Sequence, residues 1–481
     1  MSELEGVNVM RALIVHFRSA PTRRLPEQRA NVDPLDSAGT DGVSLEMRKR
    51  QALLEAMGHE VAICSAYDWA DFPIPALEFD SEEVARMIRN LFGPGMMDFA
   101  SEAELRGAFD VSVLELKRQL GKVIEHFAPR LIFVHNILSL PVHPMSTVSL
   151  TELLRETQIP CAAIHHDVLS EGAYEFTPTC NFAKSILDGY YPPRMPNLRH
   201  WTINTRNKRA LGEKGVDAGV IHDTMDFDQR LEPGEQARIR ARLRAKYGIQ
   251  PHDVVLFVGA RIVPNKQTEL AGHLTAVLQS LRQEMVGKKL YHGEVFSRKS
   301  RVVLVLAGRP ERAFVDYQRR LFELFDTLKI AWRYAGDHVR PYRSEDEGLY
   351  ALYPDLYAMA DFVLYPTGWE GFGNQLLEAF AAGLPVAVFE YPVFKEDIAP
   401  KGVRVVSLGD TVLAERDSVG LVQVPLEVIT RAAREIMTIL TSPENFRSIN
   451  DHNTKVGKRY FGFDVLRAHL HDAVCWASSL S

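Results

Sequence analysis

Short, wholly apolar runs recur along the chain, each followed by a stretch whose apolar positions fall at helical spacing. Arg11–Phe17 (R-A-L-I-V-H-F) predicts a buried strand. Ser44–Met57 predicts a helix, with Leu45, Leu53 and Leu54 on its apolar side and Ser44 as its cap. Gly58-His59 is a stop signal, and Glu60–Ser65 predicts the next strand. Leu131–His135 and Cys161–His165 are further apolar runs, both ending in histidine. In the second half, Val254–Gly259, Val302–Gly308, Phe362–Pro366 and Val386–Glu390 predict another set of strands. Continuous apolar strands alternating with helices predict an α/β protein whose parallel sheets are covered on both faces.

The two sets part near Asp226–Gly234, where strand-like Ala218–Ile221 gives way to D-F-D-Q-R-L-E-P-G. The expected division is a Rossmann-like domain over 1–226, a second over 227–460, and a C-terminal helix in 461–481, capped by Asp464, that crosses back to the first. Two such halves leave a cleft, and ligands in open α/β sheets sit beyond the carboxyl ends of the strands. Glu235–Tyr247, with Arg238, Arg240, Arg242, Arg244 and Lys246, reads as a solvated helix whose charges form a surface face. Ala66–Asp110 and Lys288–Arg301 exceed a minimal unit; either shapes a binding site or an oligomer contact.

Composition narrows the class. A chain of 481 residues is long enough for two or three domains. Its 56 Lys+Arg against 62 Asp+Glu give a net charge of −6, without the basic face that nucleic acid requires. No window is apolar enough to span a membrane, and the acidic start lacks the plan of a signal peptide. Four scattered Cys argue against a disulfide framework or zinc site and for a reducing cytoplasm.

The most informative stretch runs from Phe362 to Glu390. A strand ends at Pro366, a Gly-rich loop spans Thr367–Gly373, and a helix starts near Asn374 and stops at Gly383 before Pro385. A helix start after such a loop suits an anion. Glu370 and Glu378 flank it, eight positions apart. Leu376, Leu377 and Phe380 mark the apolar side of the helix, and Glu378 lies about 130° from its centre, facing cleft or solvent rather than core. Phosphate in the middle and hydroxylated rings at both ends would fit this plan, as in a nucleotide-sugar; a plain βαβ turn with two exposed Glu is the alternative.

Glu370-Gly371-Phe372-Gly373-Asn374-Gln375-Leu376-Leu377-Glu378, followed by Gly383-Leu384-Pro385-Val386, resembles the E-x7-E signature of the family-four retaining glycosyltransferases. Gly42-Val43-Ser44 is similar to that family's Gly-rich donor loop, and Ala260–Lys266 to its G-R-x-x-x-x-K stretch. Ile221–Asp226 resembles its interdomain motif, and Ala307-Gly308-Arg309-Pro310 stands where it often has G-x-G-P. The resemblance implies the GT-B fold, with two Rossmann-like domains facing a central cleft, the first for acceptor and the second for donor.

It also implies roles. Arg261 and Lys266 bind the donor diphosphate and stabilise its departure, while Glu370 binds the transferred sugar and Glu378 the nucleotide ribose. Gly42 and the backbone of Phe372, Gly373, Asn374 and Gln375 contact the donor, and Val339, in Gly336–Arg340, touches the base. His166, in His165-His166-Asp167, lies near the transferred sugar, with His135 and Asn136 as secondary acceptor contacts; a structural or metal role is the other reading of paired His. Asp226-Phe227-Asp228 spells D-x-D, a metal motif of another fold, but its place at the interdomain motif implies a structural role, metal-independent chemistry and no cofactor.

Acceptor identity is more open. Arg18, Arg23, Arg24 and Arg29 crowd one loop, which is either a seat for an anionic acceptor or a mobile surface. Thr40–Glu46 resembles compatible-solute synthases that join mannose to glucosylglycerate. GDP-mannose and UDP-glucose are both candidate donors, and a small polar acceptor such as a sugar phosphate or glucosylglycerate is expected. Rival readings are a transferase of lipid or polysaccharide assembly using Val84–Phe92 as a membrane helix, a GT-B phosphorylase or epimerase, and a catalytically silent nucleotide-sugar sensor. The sequence does not set the oligomeric state.

Overall fold

Arg11–Val15 (β1) buries Ala12, Leu13, Ile14 and Val15, and Ile14 stands in register between Ile63 and Phe133 on the neighbouring strands. This is the centre of the first sheet in the computed structural model, which describes residues 9–19, 41–169, 176–340, 342–417 and 419–480. After β1 come α1 (Gly42–Ala56), β2 (Glu60–Ser65), β3 (Phe72–Pro73), α2 (Glu82–Phe92), α3 (Glu102–Phe127) and β4 (Leu131–His135). Then follow α4 (Pro144–Thr157), β5 (Cys161–His165), α5 (Asn181–Tyr190), β6 (Leu198–Thr202), α6 (Thr205–Glu213) and β7 (Ala218–Val220). The strands form one parallel sheet in the order β3-β2-β1-β4-β5-β6-β7.

The second sheet begins after a helix, α7 (Pro233–Lys246). It is built from β8 (Val254–Val258), α8 (Glu269–Leu281), β9 (Val302–Leu306), α9 (Val315–Thr327) and β10 (Ala331–Tyr334). A short ladder of β11 (Val339–Arg340) and β12 (Tyr350–Ala351) precedes β13 (Phe362–Tyr365), α10 (Asn374–Ala381), β14 (Val386–Val388) and β15 (Val406–Ser407). Helices α11 (Leu426–Leu440), α12 (Pro443–Phe461) and α13 (Phe463–Leu480) close the chain. The order is β10-β9-β8-β13-β14-β15, again parallel, and every residue of β8, β9 and β13 is buried, as continuous apolar runs require. Contacts divide the described residues into two units, one holding 9–19, 41–222 and 464–480, the other 223–463. Arg199 of β6 reaches Asp472 at 3.3 Å and lies over the Trp476 ring, tying α13 to the first unit.

Four local expectations change. Asp41, not Ser44, caps α1: its Oδ1 accepts the Ser44 N–H at 2.9 Å, which puts Gly42 at the first helical position. Residues 66–110 hold β3, α2 and the first turns of α3 in the core of the first unit, where Val84, Met87, Leu91 and Phe92 bury the apolar side of α2. Within Lys288–Arg301, Tyr291 stacks on Phe446 with ring centroids 3.7 Å apart and its hydroxyl donates to Asp361 at 2.9 Å.

The fourth concerns α7, which is not simply solvated. Arg238 and Arg242 do pair with Glu345 near the surface. Arg240 and Arg244 instead turn inward to the two oxygens of buried Asp361, at 2.5 and 2.6 Å. Asp361 Oδ2 also accepts the Val255 N–H at 2.7 Å. Burial alone would raise this carboxyl, but the two guanidinium groups outweigh it and hold it far below its ordinary range.

Candidate active site

Three loops of the second unit, after β8, β9 and β13, meet at the carboxyl end of its sheet. The chain leaves β8 through Ala260–Val263 and enters a tight turn at Pro264–Lys266. The loop after β9 lies alongside, with the Ile262 N–H donating to the Arg309 carbonyl at 2.9 Å. Glycine is needed at 308, because an added Cβ would stand 1.7 Å from the Ala260 carbonyl oxygen. This approach places the Glu311 carboxylate on the Arg261 guanidinium. Asn265 joins the turn to the loop after β13: its carbonyl accepts the Gly368 N–H at 2.9 Å and its amide donates to the Trp369 carbonyl at 3.2 Å. The Lys266 ammonium thereby rests on Oε1 of Glu370. Lys266 is only 5% exposed, and burial pulls it below its ordinary range while Glu370 pulls the other way.

Glu370, Gly373 and Glu378 are each met by a buried tyrosine. Tyr365 donates to the same Oε1 of Glu370 at 2.6 Å. Tyr391 donates to the Phe372 carbonyl at 2.5 Å, and Gly373 beside it has φ +139°. Tyr357 donates to Glu378 Oε2 at 2.8 Å. The helical angle turns Glu378 towards cleft or solvent rather than core; at 8% exposed it does not lie in open solvent. The reason is that α10 is enclosed, with every residue from Leu376 to Ala381 buried, so angle from the apolar side is no guide to exposure. The Leu376 and Leu377 N–H groups are spent on the Gly373 carbonyl at the start of this helix. Arg309 donates to the Gly336 and Val339 carbonyls, both at 2.9 Å, which fixes the loop carrying Val339 beside the β9 turn.

Five histidines of the first unit come together: His16, His135, His165 and His166 at the carboxyl ends of β1, β4 and β5, and His200 in the middle of β6. His135 Nδ1 and His166 Nε2 are 3.0 Å apart with stacked rings, so one nitrogen donates and the other accepts. His165 and His200 repeat the arrangement at 2.9 Å. His16 donates from Nδ1 to the His135 carbonyl at 2.8 Å, which fixes its tautomer. Asn136, at φ +57°, clamps the turn after β5: its Oδ1 accepts the His166 and Asp167 N–H groups at 2.7 and 3.2 Å. Burial, then the charge of Arg50, drives His135 and His166 well below their ordinary range.

Other expected residues are engaged elsewhere. Arg18 lies over the Phe79 ring and donates to Glu78 at 3.1 Å and to Asp80, so its charge is already matched. Arg23, Arg24, Arg29 and Thr40 lie outside the described residues. Asp226 Oδ1 accepts the Asp228 and Gln229 N–H groups, and the Asp228 carboxylate pairs with Lys458, so the D-F-D segment forms a local turn and a salt bridge. No group of three or more metal-type side chains is found among the described residues. Glu311 and the three tyrosines were not singled out by the sequence, although Tyr365 closes β13 and Glu311 lies on the loop after β9.

The chain is similar to several known proteins. The family model of glycosyl transferases group 1 matches residues 240–407, which span the loops just described. A mannosylglucosylglycerate synthase of Thermotoga maritima is 34% identical over 429 residues, covering 89% of this chain and 95% of that protein. One from Petrotoga mobilis is 31% identical over 432 residues, covering 89% and 97%. Among solved structures, a glycosyltransferase from Rickettsia africae aligns with a TM-score of 0.58 over 98% of this chain and 100% of that one, at 14% identity. A sucrose-phosphate synthase from Thermosynechococcus elongatus gives 0.59 with the same identity and coverage. No described helix is long and apolar enough to cross a membrane. The two parallel sheets with their Rossmann-like connections are those of the GT-B fold, and with relatives alike over nearly their whole length the chain belongs to the group 1 glycosyl transferases and is a glycosyltransferase.

Proposed function

We propose that this enzyme is a retaining glycosyltransferase that moves a hexose from a nucleotide-sugar, GDP-mannose or UDP-glucose, to a hydroxyl of a small anionic acceptor, glucosylglycerate foremost. The observation that carries the transfer reading is the meeting of Arg261, Lys266, Glu370 and the start of α10 on adjacent loops of one parallel sheet. Two cations and a helix start suit a departing diphosphate, and a carboxylate beside them suits sugar hydroxyls. Glu378 takes the ribose and Val339 the base. The acceptor reading is supported by the full-length relatives, whose name specifies mannose joined to glucosylglycerate.

In the proposed reaction the acceptor hydroxyl attacks the anomeric carbon on the face from which the nucleotide departs. A donor-phosphate oxygen takes the acceptor proton, and the C–O bond to the diphosphate breaks. Lys266 and Arg261 leave their carboxylate partners in part to meet the charge that develops. His166, with His135 and Asn136, lines the sugar and acceptor side. The chemistry runs without a divalent metal, a reading supported by the engagement of Asp226 and Asp228 in local structure. Membrane assembly is disfavoured as the setting because the apolar side of α2 is spent in the core.

The test is direct. Incubation with glucosylglycerate and each of GDP-mannose and UDP-glucose should give a disaccharide product from one donor, with the donor's anomeric configuration kept in its NMR spectrum and with the rate unchanged by EDTA. Inversion at the anomeric carbon, or turnover with neither donor, would overturn the respective part.

A further inference from the structure

The geometry points to a set of positioning residues beneath the donor loop: Tyr365, Tyr391 and Tyr357 hold, one each, the sugar end, the diphosphate turn and the ribose end of the site. This rests on the reading of Glu370 and Glu378 given above. The three rings come from separate places, the end of β13, the segment after β14 and the turn Leu356–Met359. None is more than 1% exposed. Their hydroxyls nonetheless converge on nine consecutive residues, reaching Glu370, the Phe372 carbonyl and Glu378.

Phenylalanine would fill the same volume. Tyr365 and Tyr391 pack edge to face with centroids 6.0 Å apart, and Tyr357 packs likewise on Phe257 at 4.9 Å. The rings therefore satisfy the core, and the hydroxyls serve the loop above it. Burial, foremost, raises all three phenols well above their ordinary range, so they stay protonated and can only donate to a carboxylate or carbonyl.

Each hydroxyl has a distinct consequence. Tyr365 shares Oε1 of Glu370 with Lys266, so it keeps the carboxylate in place when Lys266 turns towards the diphosphate. Tyr391 pins the Phe372 carbonyl. In a planar trans peptide the N–H points opposite to the carbonyl, so the Gly373 N–H is aimed away from Tyr391. Tyr357 fixes Glu378 Oε2 and also donates to the Gln375 carbonyl at 3.3 Å.

The experiment compares Tyr365→Phe, Tyr357→Phe and Tyr391→Phe with Glu370→Gln and Glu378→Gln. GDP and UDP are titrated calorimetrically, and kcat and KM are measured with the accepted nucleotide-sugar. Tyr365→Phe should lower kcat by about ten- to a hundredfold, the worth of a hydrogen bond to a charged group, with nucleoside diphosphate affinity unchanged. Tyr357→Phe should weaken nucleoside diphosphate affinity by about tenfold and spare kcat at saturating donor. Tyr391→Phe should affect both, and adding Tyr365→Phe to Glu370→Gln should cost little more. Wild-type kinetics in Tyr365→Phe and Tyr357→Phe, or losses that only track a lower melting temperature, would overturn the assignment while the two Glu variants remain impaired. Unimpaired Glu370→Gln and Glu378→Gln would instead bring down the underlying reading, and the tyrosine assignment with it.

Discussion

Lys266 and Glu370 lie 104 positions apart and meet as a nearly enclosed ion pair, ammonium on Oε1. The turn that carries Lys266 is also held by backbone bonds and by Asn265. Under the function proposed above, the pair is the charge-balanced resting state of two groups that meet different parts of one ligand. Lys266→Ala should reduce sugar transfer by about 10²–10³-fold, the scale of removing one charge-stabilising donor from an active site. Its thermal melt should fall as well, because Glu370 loses its counter-charge and keeps the Tyr365 hydroxyl, but by less than the loss of transfer requires. Steady-state rates beside a calorimetric scan check this, and undiminished transfer would remove Lys266 from the site.

A second buried pair carries stability instead. Asp361 receives Arg240, Arg244, Tyr291 and the Val255 N–H. Asp361→Ala leaves two guanidinium groups without their counter-charge and should destabilise the second unit by about 3–5 kcal/mol. Arg238→Ala, on the exposed side of the same helix, should leave the melt unchanged. Urea unfolding of the two variants distinguishes them; equal effects would show that α7 is held by its helix face and not by this carboxylate.

These two pairs mark what the sequence could reveal. The strand–loop–helix from Phe362 to Gly383 was legible because its parts are contiguous and each has a local cause: a β run, glycines, a helix start and a proline stop. The alternation of apolar runs likewise announced both parallel sheets. The inward turn of Arg244 was not legible, since its partner lies 117 positions away and a local charge pattern cannot see it. For Glu378 the helix angle left cleft and solvent both open; it could not see that α10 is enclosed, which removes open solvent. The tyrosine hydroxyls left no trace, because a tyrosine in an apolar run reads as core and the loop supplies its partner.

Acid should weaken the first unit through its histidines. Burial holds His135, His165 and His166 well below 6.5 and pushes His200 down to about 4. The unfolded chain protonates all of them near 6.5, so it binds more protons than the native state at lower pH. Stability is therefore intact above about pH 6.5 and falls as pH drops below it, by about 1.4 kcal/mol per pH unit for each such group. Melting temperatures at pH 7.5, 6.5 and 5.5 should be level over the first interval and drop over the second. His200→Gln should make the drop shallower; a melt independent of pH down to 5.5 contradicts the buried neutral cluster.

Gly373 tests the site from beneath. Its φ of +139° is strained for any residue with a Cβ, and that Cβ would stand 2.5 Å from the Tyr391 hydroxyl. Gly373→Ala thus incurs two costs, a backbone one and a steric one, and only the second depends on Tyr391. The single variant should lose most of its sugar transfer. Adding Tyr391→Phe removes the oxygen in the way, so the double variant should melt at a higher temperature than Gly373→Ala alone and recover part of its nucleotide binding. Tyr391→Phe by itself should do neither, because it gives up the bond to the Phe372 carbonyl and relieves nothing. This reversal of sign between the two backgrounds is what a hydroxyl pressed against the underside of Gly373 requires, and additive losses would place it elsewhere.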